Sequence, residues 1–433
     1  MSRSAAAESS SSLHFFLAAR RSELHGLEHL QAICELVTNV CQLVHVLQKE
    51  RGYSNLYLSR RHQPHHPLLG ELQEQSQHKD LLLRRLLERM DKELTEGADR
   101  ARLLNCIACA LYRLEGLQPL RWQIRECRTS TDEAGREFTR LIGSLLSVVF
   151  EAADSALDAD ITHSLVALFN FMQGKELSGQ ERALGVMGYM AGHFNQDFQQ
   201  QLRTLTDAQT RSFALFNQHA PTAVLPAWDD VQHYTEQVQR LRAIALNTRP
   251  GDLLDHGLAE VWFELCTLRI DAMHKVEHAL ASHIEVQCQQ KIDAARLEMD
   301  NHQLQLHRLK DKADTHGNSA RIFNIQTRPF DLPVQDGITE ELERSMLDIL
   351  QEQQLLIQTR DDALLQAKRA LDERKDIEKA KWLLVKHHHL TEAAAHDRLQ
   401  RAAMENGISL ADVAHQFLEQ LAKQKGTDKP ARP

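Results

Sequence analysis

Proline is scarce in this chain, with 10 in 433 residues, and aromatic residues make up only 5 %. Helix breakers are therefore far apart, and few segments carry the aromatic and β-branched alternation of strands. Nowhere do 18 apolar residues follow one another, so no transmembrane helix is expected. The opening MSRSAAAESSSS has no basic leader, and the short apolar run Leu13–Ala19 is too brief for an export signal. No Gly-rich phosphate loop, catalytic triad or HExxH motif occurs, and an enzyme is not indicated. The seven cysteines (34, 41, 106, 109, 127, 266 and 288) are an odd number in a large chain. Only Cys106-Ile-Ala-Cys109 has CxxC spacing, with no second pair to complete a zinc site. They read as reduced thiols of a cytoplasmic protein, with no metal and no cofactor.

What the chain has in abundance is Leu, Ala, Gln, Glu and Arg, all good helix formers, and 42 % of its residues are hydrophobic. The expected fold class is all-α. Residues 20–312 read as successive amphipathic helices forming a helical-bundle domain behind a disordered tail at 1–19. Breaks are expected near His62–Pro67, Glu96-Gly97, Thr129–Gly135, Ala220-Pro221 and Pro250-Gly251. A linker at 313–337 contains Pro329 and Pro333. A coiled-coil-like stem follows at 338–365, where Leu342, Met346, Ile349, Leu356 and Ala363 approximate a heptad seam broken by Gln353 and Arg360. That seam suits pairing within the chain or a homodimer equally well.

The last part, 366–422, is a three-helix module ahead of a short disordered tail at 423–433. Apolar positions Ile377, Ala380 and Leu384, then Ala395, Leu399 and Ala403, then Leu410, Val413 and Phe417 recur at helical spacing. Thr391 is a good N-cap, Asn406-Gly407 a stop, and Ser409-Leu-Ala-Asp412 has capping-box spacing with Asp for the usual Glu. Arg374, Ile377, Glu378, Ala380 and Lys381, followed by Glu392, Ala395, Leu399, Ala403 and Met404, resemble the ANTAR domain, the RNA-binding module of transcription antiterminators. Trp382, Val385, His396 and Gln400 depart from that pattern, where the family has Gly, Met, an aromatic and Arg. The resemblance implies recognition of paired leader-RNA hairpins through their loops.

Charge is distributed to suit such a module. Residues 366–433 hold 13 Lys+Arg against 10 Asp+Glu, a net of +3 within a chain of net −9. Lys379, Lys381 and Lys386 on the first helix, with Arg398 and Arg401 on the second, can form one basic face, which an ordinary solvated helix surface would also show. Lys381 falls on the Ala-Lys position of the family, and Gln400 is placed to bond a base edge where the family has Arg. The run His387-His388-His389 is no metal site, because successive helical residues point about 100° apart.

The body contains an internal echo. Gln48-Lys-Glu-Arg51-Gly52 returns in altered form as Gly179-Gln-Glu-Arg182-Ala183. Leu47–Gly52, Glu176–Ala183 and the pair Leu241-Arg242 resemble three motifs of helical nitrate- and nitrite-sensing (NIT) domains. The resemblance implies an anion site built from arginines on facing helices. Nitrate is flat, delocalised and weakly hydrated, and a planar guanidinium matches it better than an ammonium point charge does. Arg51, flanked by Val44, Leu47 and Leu56, is the first candidate, with Gly52 allowing close approach. Arg242 is the second, with Arg240 a near rival, and Arg182 the third. The competing reading pairs these arginines with carboxylates as structural ties, and favours it most for Arg182 because of Glu176 and Glu181.

Together these readings give a cytoplasmic, nitrate- or nitrite-responsive transcription antitermination regulator that holds a two-hairpin leader RNA. The alternative is an all-helical protein-interaction scaffold with no small-molecule input.

Overall fold

A computed structural model describes residues 2–59, 67–95, 101–249, 252–315, 355, 358–369, 371–373, 375–377, 379–381, 383–384, 392–406 and 408–427. Among them no strand occurs. The helices are α1 (Ser2–Ser59), α2 (Pro67–Thr95), α3 (Ala101–Glu115), α4 (Leu117–Arg125), α5 (Thr131–Ser155), α6 (Ala159–Ala191), α7 (Gln196–His219), α8 (Leu225–Asn247) and α9 (Leu258–Thr315). The described residues between 358 and 384 are also helical (α10), followed by α11 (Glu392–Asn406) and α12 (Leu410–Thr427).

Local chemistry places the ends of these helices. Ser130, Asp158 and Asn195 cap α5, α6 and α7 by accepting from the amides of Glu133, Ile161 and Phe198. Gly192 ends α6 with φ +72°, a left-handed turn that suits glycine. The breaks at 156–158 and 192–195 are not among those expected from the sequence. The N-terminal stretch read as a tail is instead the start of α1, with Ala and Ser and no Gly or Pro before Gly26. At the other end α12 continues to Thr427, into the second expected tail.

The long helices α1 and α9 run antiparallel. The pairs Arg20–Glu298, Glu28–Arg296, Cys34–Cys288, Thr38–Glu285 and Lys49–Asp271 descend one helix as they climb the other. The apolar stretch of α1 is long enough to cross a membrane by length and composition, but 67 % of that window is buried within the bundle.

Helix α6 runs through the centre, packed against α1, α5, α7 and α9, and is buried nearly all round. Its first half, Ile161 to Met172, joins the main core with α1, α3 and α5. Its last part, Leu184 to Tyr189, joins a second core with α8 and the start of α9. There Trp262 presses on Gly185, where an added Cβ would lie 2.2 Å from the indole. Between the two cores lies a buried charged layer, Lys175, Glu176, Glu181 and Arg182. Charges in such a place require partners.

The C-terminal helices enclose a third, small core. Ala380 and Leu384 of α10, Ala395, Leu399 and Ala403 of α11, and Val413 and Ala414 of α12 are buried together, with Ile377, Leu410 and Phe417 packed alongside. Ser409 and Asp412 form the expected capping box, each side chain accepting from the other's amide. Asp376 and His415 tie α10 to α12 at 2.7 Å. Thr391 and most of the residues read as linker and stem lie outside the described residues.

Candidate functional site

The two halves of the internal echo meet across the α1–α6 crossing. Arg51 and Arg182 are each 2 % exposed. A Cβ built on Gly52 would lie 2.2 Å from Nη2 of Arg182, and one on Gly179 would lie 2.6 Å from Nη2 of Arg51. Each arginine therefore lies over the glycine of the other's motif. The glycine adjoining Arg51 costs about 1 kcal/mol in a helix interior, and it is there to admit Arg182.

The two guanidiniums differ in their partners. Arg51 pairs with Glu176 through Nη1–Oε1 at 2.5 Å and Nη2–Oε2 at 3.0 Å, and Nη1 also donates to Thr139 Oγ1 at 3.0 Å. Gln48 and Gln180 donate to the same carboxylate. Arg182 has no carboxylate in ion-pair contact among the described residues. It donates from Nη1 to Thr267 Oγ1 at 3.0 Å and from Nη2 to the Gln48 carbonyl at 3.1 Å, and its Cζ lies 5.1 Å over the Phe263 ring. Burial, then the charge of Arg51, pulls the Arg182 guanidinium down to about 10. It remains a cation at neutral pH.

Beside these groups a cavity of about 20 Å³ is lined by Arg51, Gly52, Asn55, Thr131, Arg182 and Phe263, with Leu56, Ala183, Val186 and Met187 as apolar wall. That is room for about one water-sized body, since ~10–15 Å³ suffices for one. A larger guest requires the side chains to draw back.

Arg242 lies elsewhere. Its Nε donates to Glu181 at 2.6 Å, and Arg269 reaches the same carboxylate at 3.3 Å. Gln209 completes the group by donating to Glu181 Oε2 and accepting from Arg269. Burial works against the Glu181 charge, but the two arginines outweigh it and hold the carboxyl below its usual range. The structure does not bring Arg242 to the cavity. Arg240 lines an open groove of about 380 Å³ between α8 and α9 with His233 and Glu236. The order expected among the arginines changes accordingly. Glu176 is taken by Arg51 and Glu181 by Arg242 and Arg269, so among these buried arginines Arg182 is the one with no carboxylate in ion-pair contact among the described residues.

In the C-terminal module Lys379, Arg398, Gln400 and Arg401 are exposed and Lys381 is half-buried, while Lys386 lies outside the described residues. Arg398 and Arg401 point away from the face of α11 that buries Ala395, Leu399 and Ala403. This module also touches the body. Lys375 reaches Asp154 of α5 at 2.5 Å, Arg360 pairs with Glu23 of α1, and Leu371 is buried in the main core.

Comparison with known proteins fits both regions. Residues 42–285 match the family described as nitrate and nitrite sensing, more than half of the chain. The chain belongs to this NIT family. A second match, residues 365–418, is to the ANTAR domain. A nitrate regulatory protein of Klebsiella oxytoca is 30 % identical over 408 residues, covering 93 % of this NIT protein and 94 % of that one. The solved structure of the NasR transcription antiterminator is similar with a TM-score of 0.58 and 27 % identity, covering 95 % of this chain and 99 % of that one. This NIT protein is thus a regulator with a sensing body and an RNA-binding tail, not an enzyme.

Sequence reasoning missed several cavity residues. Asn55 follows Arg51 by four positions and Val186 follows Arg182 by four, so helical spacing from the arginines would have found both. Phe263 gave no such signal, because α9 lies far along the chain.

Proposed function

We propose that nitrate or nitrite enters the cavity between α1 and α6 and supplies the counter-charge that Arg182 lacks, with Arg51 at its side. The observation that carries this reading is a buried guanidinium with no carboxylate in ion-pair contact among the described residues, lining one cavity together with a second guanidinium. Arg242, held by Glu181, supports the neighbouring turn of α6 and would act on the anion only after that pair rearranges.

The output is transcription antitermination in the cytoplasm. The ANTAR helices grip a two-hairpin leader RNA through Lys379, Lys381, Lys386, Arg398 and Arg401, with Gln400 reading a base edge, and keep the terminator from forming. Contacts at Lys375, Arg360 and Leu371 hold the tail to the body in the first of two states. Nitrate acts by binding more tightly to the state in which those contacts are released, since equal affinity for both states would shift nothing. Leu355 and Leu365 of the stem are exposed, which supports pairing with a second copy once the tail is free.

The test is a gel-shift titration of a two-hairpin leader RNA with and without nitrate, using the parent, Arg182→Met and Lys381→Glu chains. The parent should bind more tightly with nitrate and Arg182→Met should not respond. Lys381→Glu should bind weakly in either condition, with a salt slope lower by about 1. Identical parent binding with and without nitrate would refute the coupling.

A further inference from the structure

The anion reading leaves open what selects one anion over another, and the surroundings of Arg182 bear on it. Phe263 lies beneath the guanidinium, with Cζ 5.1 Å from the ring centroid. One turn further along α9, Thr267 accepts from Arg182 Nη1 and its own hydroxyl donates back to the Phe263 carbonyl at 2.6 Å. Tyr53 meets the same ring edge-on at 5.5 Å and 81°, bracing it from α1. On another side the guanidinium is pressed against Gly52. Two hydrogen bonds, to Thr267 and to the Gln48 carbonyl, together with Gly52 and the ring hold the guanidinium in place, with the face of Phe263 to one side of it. Leu56, Ala183, Val186 and Met187 form an apolar wall, and Asn55, Ser59 and Thr131 line the polar part of the cavity.

Such a slot favours one shape. An anion that pairs edge-on with the guanidinium lies in the same plane, and a trigonal anion keeps all its oxygens there. A tetrahedral anion held by two oxygens sends its other two out of that plane, one to each side. The oxygen on the Phe263 side meets the negative face of the ring, a repulsive contact that a flat anion avoids. We infer that Phe263 is the specificity-determining residue of the anion site, with its ring restricting the site to flat anions. This inference rests on the proposed anion role of Arg182.

Perchlorate separates shape from hydration, because it is weakly hydrated like nitrate but tetrahedral. The experiment is calorimetric titration of the full chain with sodium nitrate and sodium perchlorate at matched ionic strength. Heats from Arg182→Met are subtracted as background. The parent should prefer nitrate by about tenfold or more, the range of a desolvated cation–π contact and the geometry it fixes. Phe263→Leu should bring the ratio close to one, while Phe263→Tyr, which keeps the ring, should preserve it. Should Phe263→Leu fail to fold, Thr267→Val frees the guanidinium from the same turn and should lower the ratio as well. A ratio unchanged in these variants overturns the inference while leaving the anion site standing. Equal binding of the two anions by the parent also overturns it. A parent that binds no anion removes the site and the inference together.

Discussion

Replacing Arg182 and Arg51 in turn by methionine should have opposite consequences, although the two residues occupy matching places in one motif. Arg51 is the partner of a buried carboxylate. Removing it leaves Glu176, 5 % exposed, with only Gln48 and Gln180 to answer its charge. Breaking a buried pair from one side costs roughly 3–5 kcal/mol. Arg182 has no such partner among the described residues, and burial with the charge of Arg51 pulls its guanidinium down from its ordinary value to about 10. That displacement corresponds to roughly 3 kcal/mol of unfavourable burial, which Arg182→Met relieves. Against it stand two lost hydrogen bonds, to Thr267 and to the Gln48 carbonyl, worth about 1.5–3 kcal/mol each for a charged donor. The two bonds total about 3–6 kcal/mol against roughly 3, so without anion Arg182→Met should lie between the parent and about 3 kcal/mol below it, and Arg51→Met lower still. Nitrate reverses the comparison for Arg182. At 100 times its dissociation constant a ligand stabilises by about 2.7 kcal/mol, and Arg182→Met should lose all of that. Urea unfolding with and without nitrate measures both quantities. If Arg182→Met proved as damaging as Arg51→Met, or kept the nitrate response, the claim that Arg182 awaits an external counter-ion would be wrong.

Gly179→Ala puts a Cβ 2.6 Å from Nη2 of Arg51, and should cost about 1–3 kcal/mol while loosening the pair with Glu176; the same urea series checks it. Lys375→Glu sets a carboxylate against Asp154, and should give RNA binding that no longer depends on nitrate, read by gel shift. Burial opposes the charges of Glu181 and Glu277, but their cationic partners hold both carboxyls below the usual range. Their stabilisation is fully present above the unfolded value near 4.5 and is lost as pH falls through the lower folded values, so circular dichroism should show the body unfolding only below about pH 4.5.

The all-helical class and the small C-terminal core were legible because they depend on local pattern. Ile377, Ala380 and Leu384 fall at helical spacing wherever the rest of the chain lies, and Ser409 with Asp412 specifies a helix start within four residues. The echo around Arg51 and Arg182 was legible as a repeat, and Gly52 as a residue out of place in a helix interior. Which carboxylate meets which arginine was not legible. Glu176 sits six residues before Arg182 on its own helix, yet its partner is Arg51, 125 positions away. Glu50 adjoins Arg51 but pairs with Arg121 of α4. Pairing in a bundle follows from which faces of distant helices meet, and one sequence carries no record of that. Phe263 is hidden for the same reason.

The helix α5 has a mechanical consequence. Thr131 borders the cavity and Thr139 holds Arg51, near one end of the helix, while Asp154 near the other end holds Lys375 of the tail. At 1.5 Å per residue, Thr131 and Asp154 stand about 35 Å apart along a single rod. A hydrogen-bonded helix buried along one side resists stretching and bending, so a tilt imposed at the cavity end is carried along its length. Because Asp154 is far from the point of entry, a small pivot there becomes a larger sweep at the tail. The same helix that borders the cavity is the lever arm against which the RNA-binding tail rests.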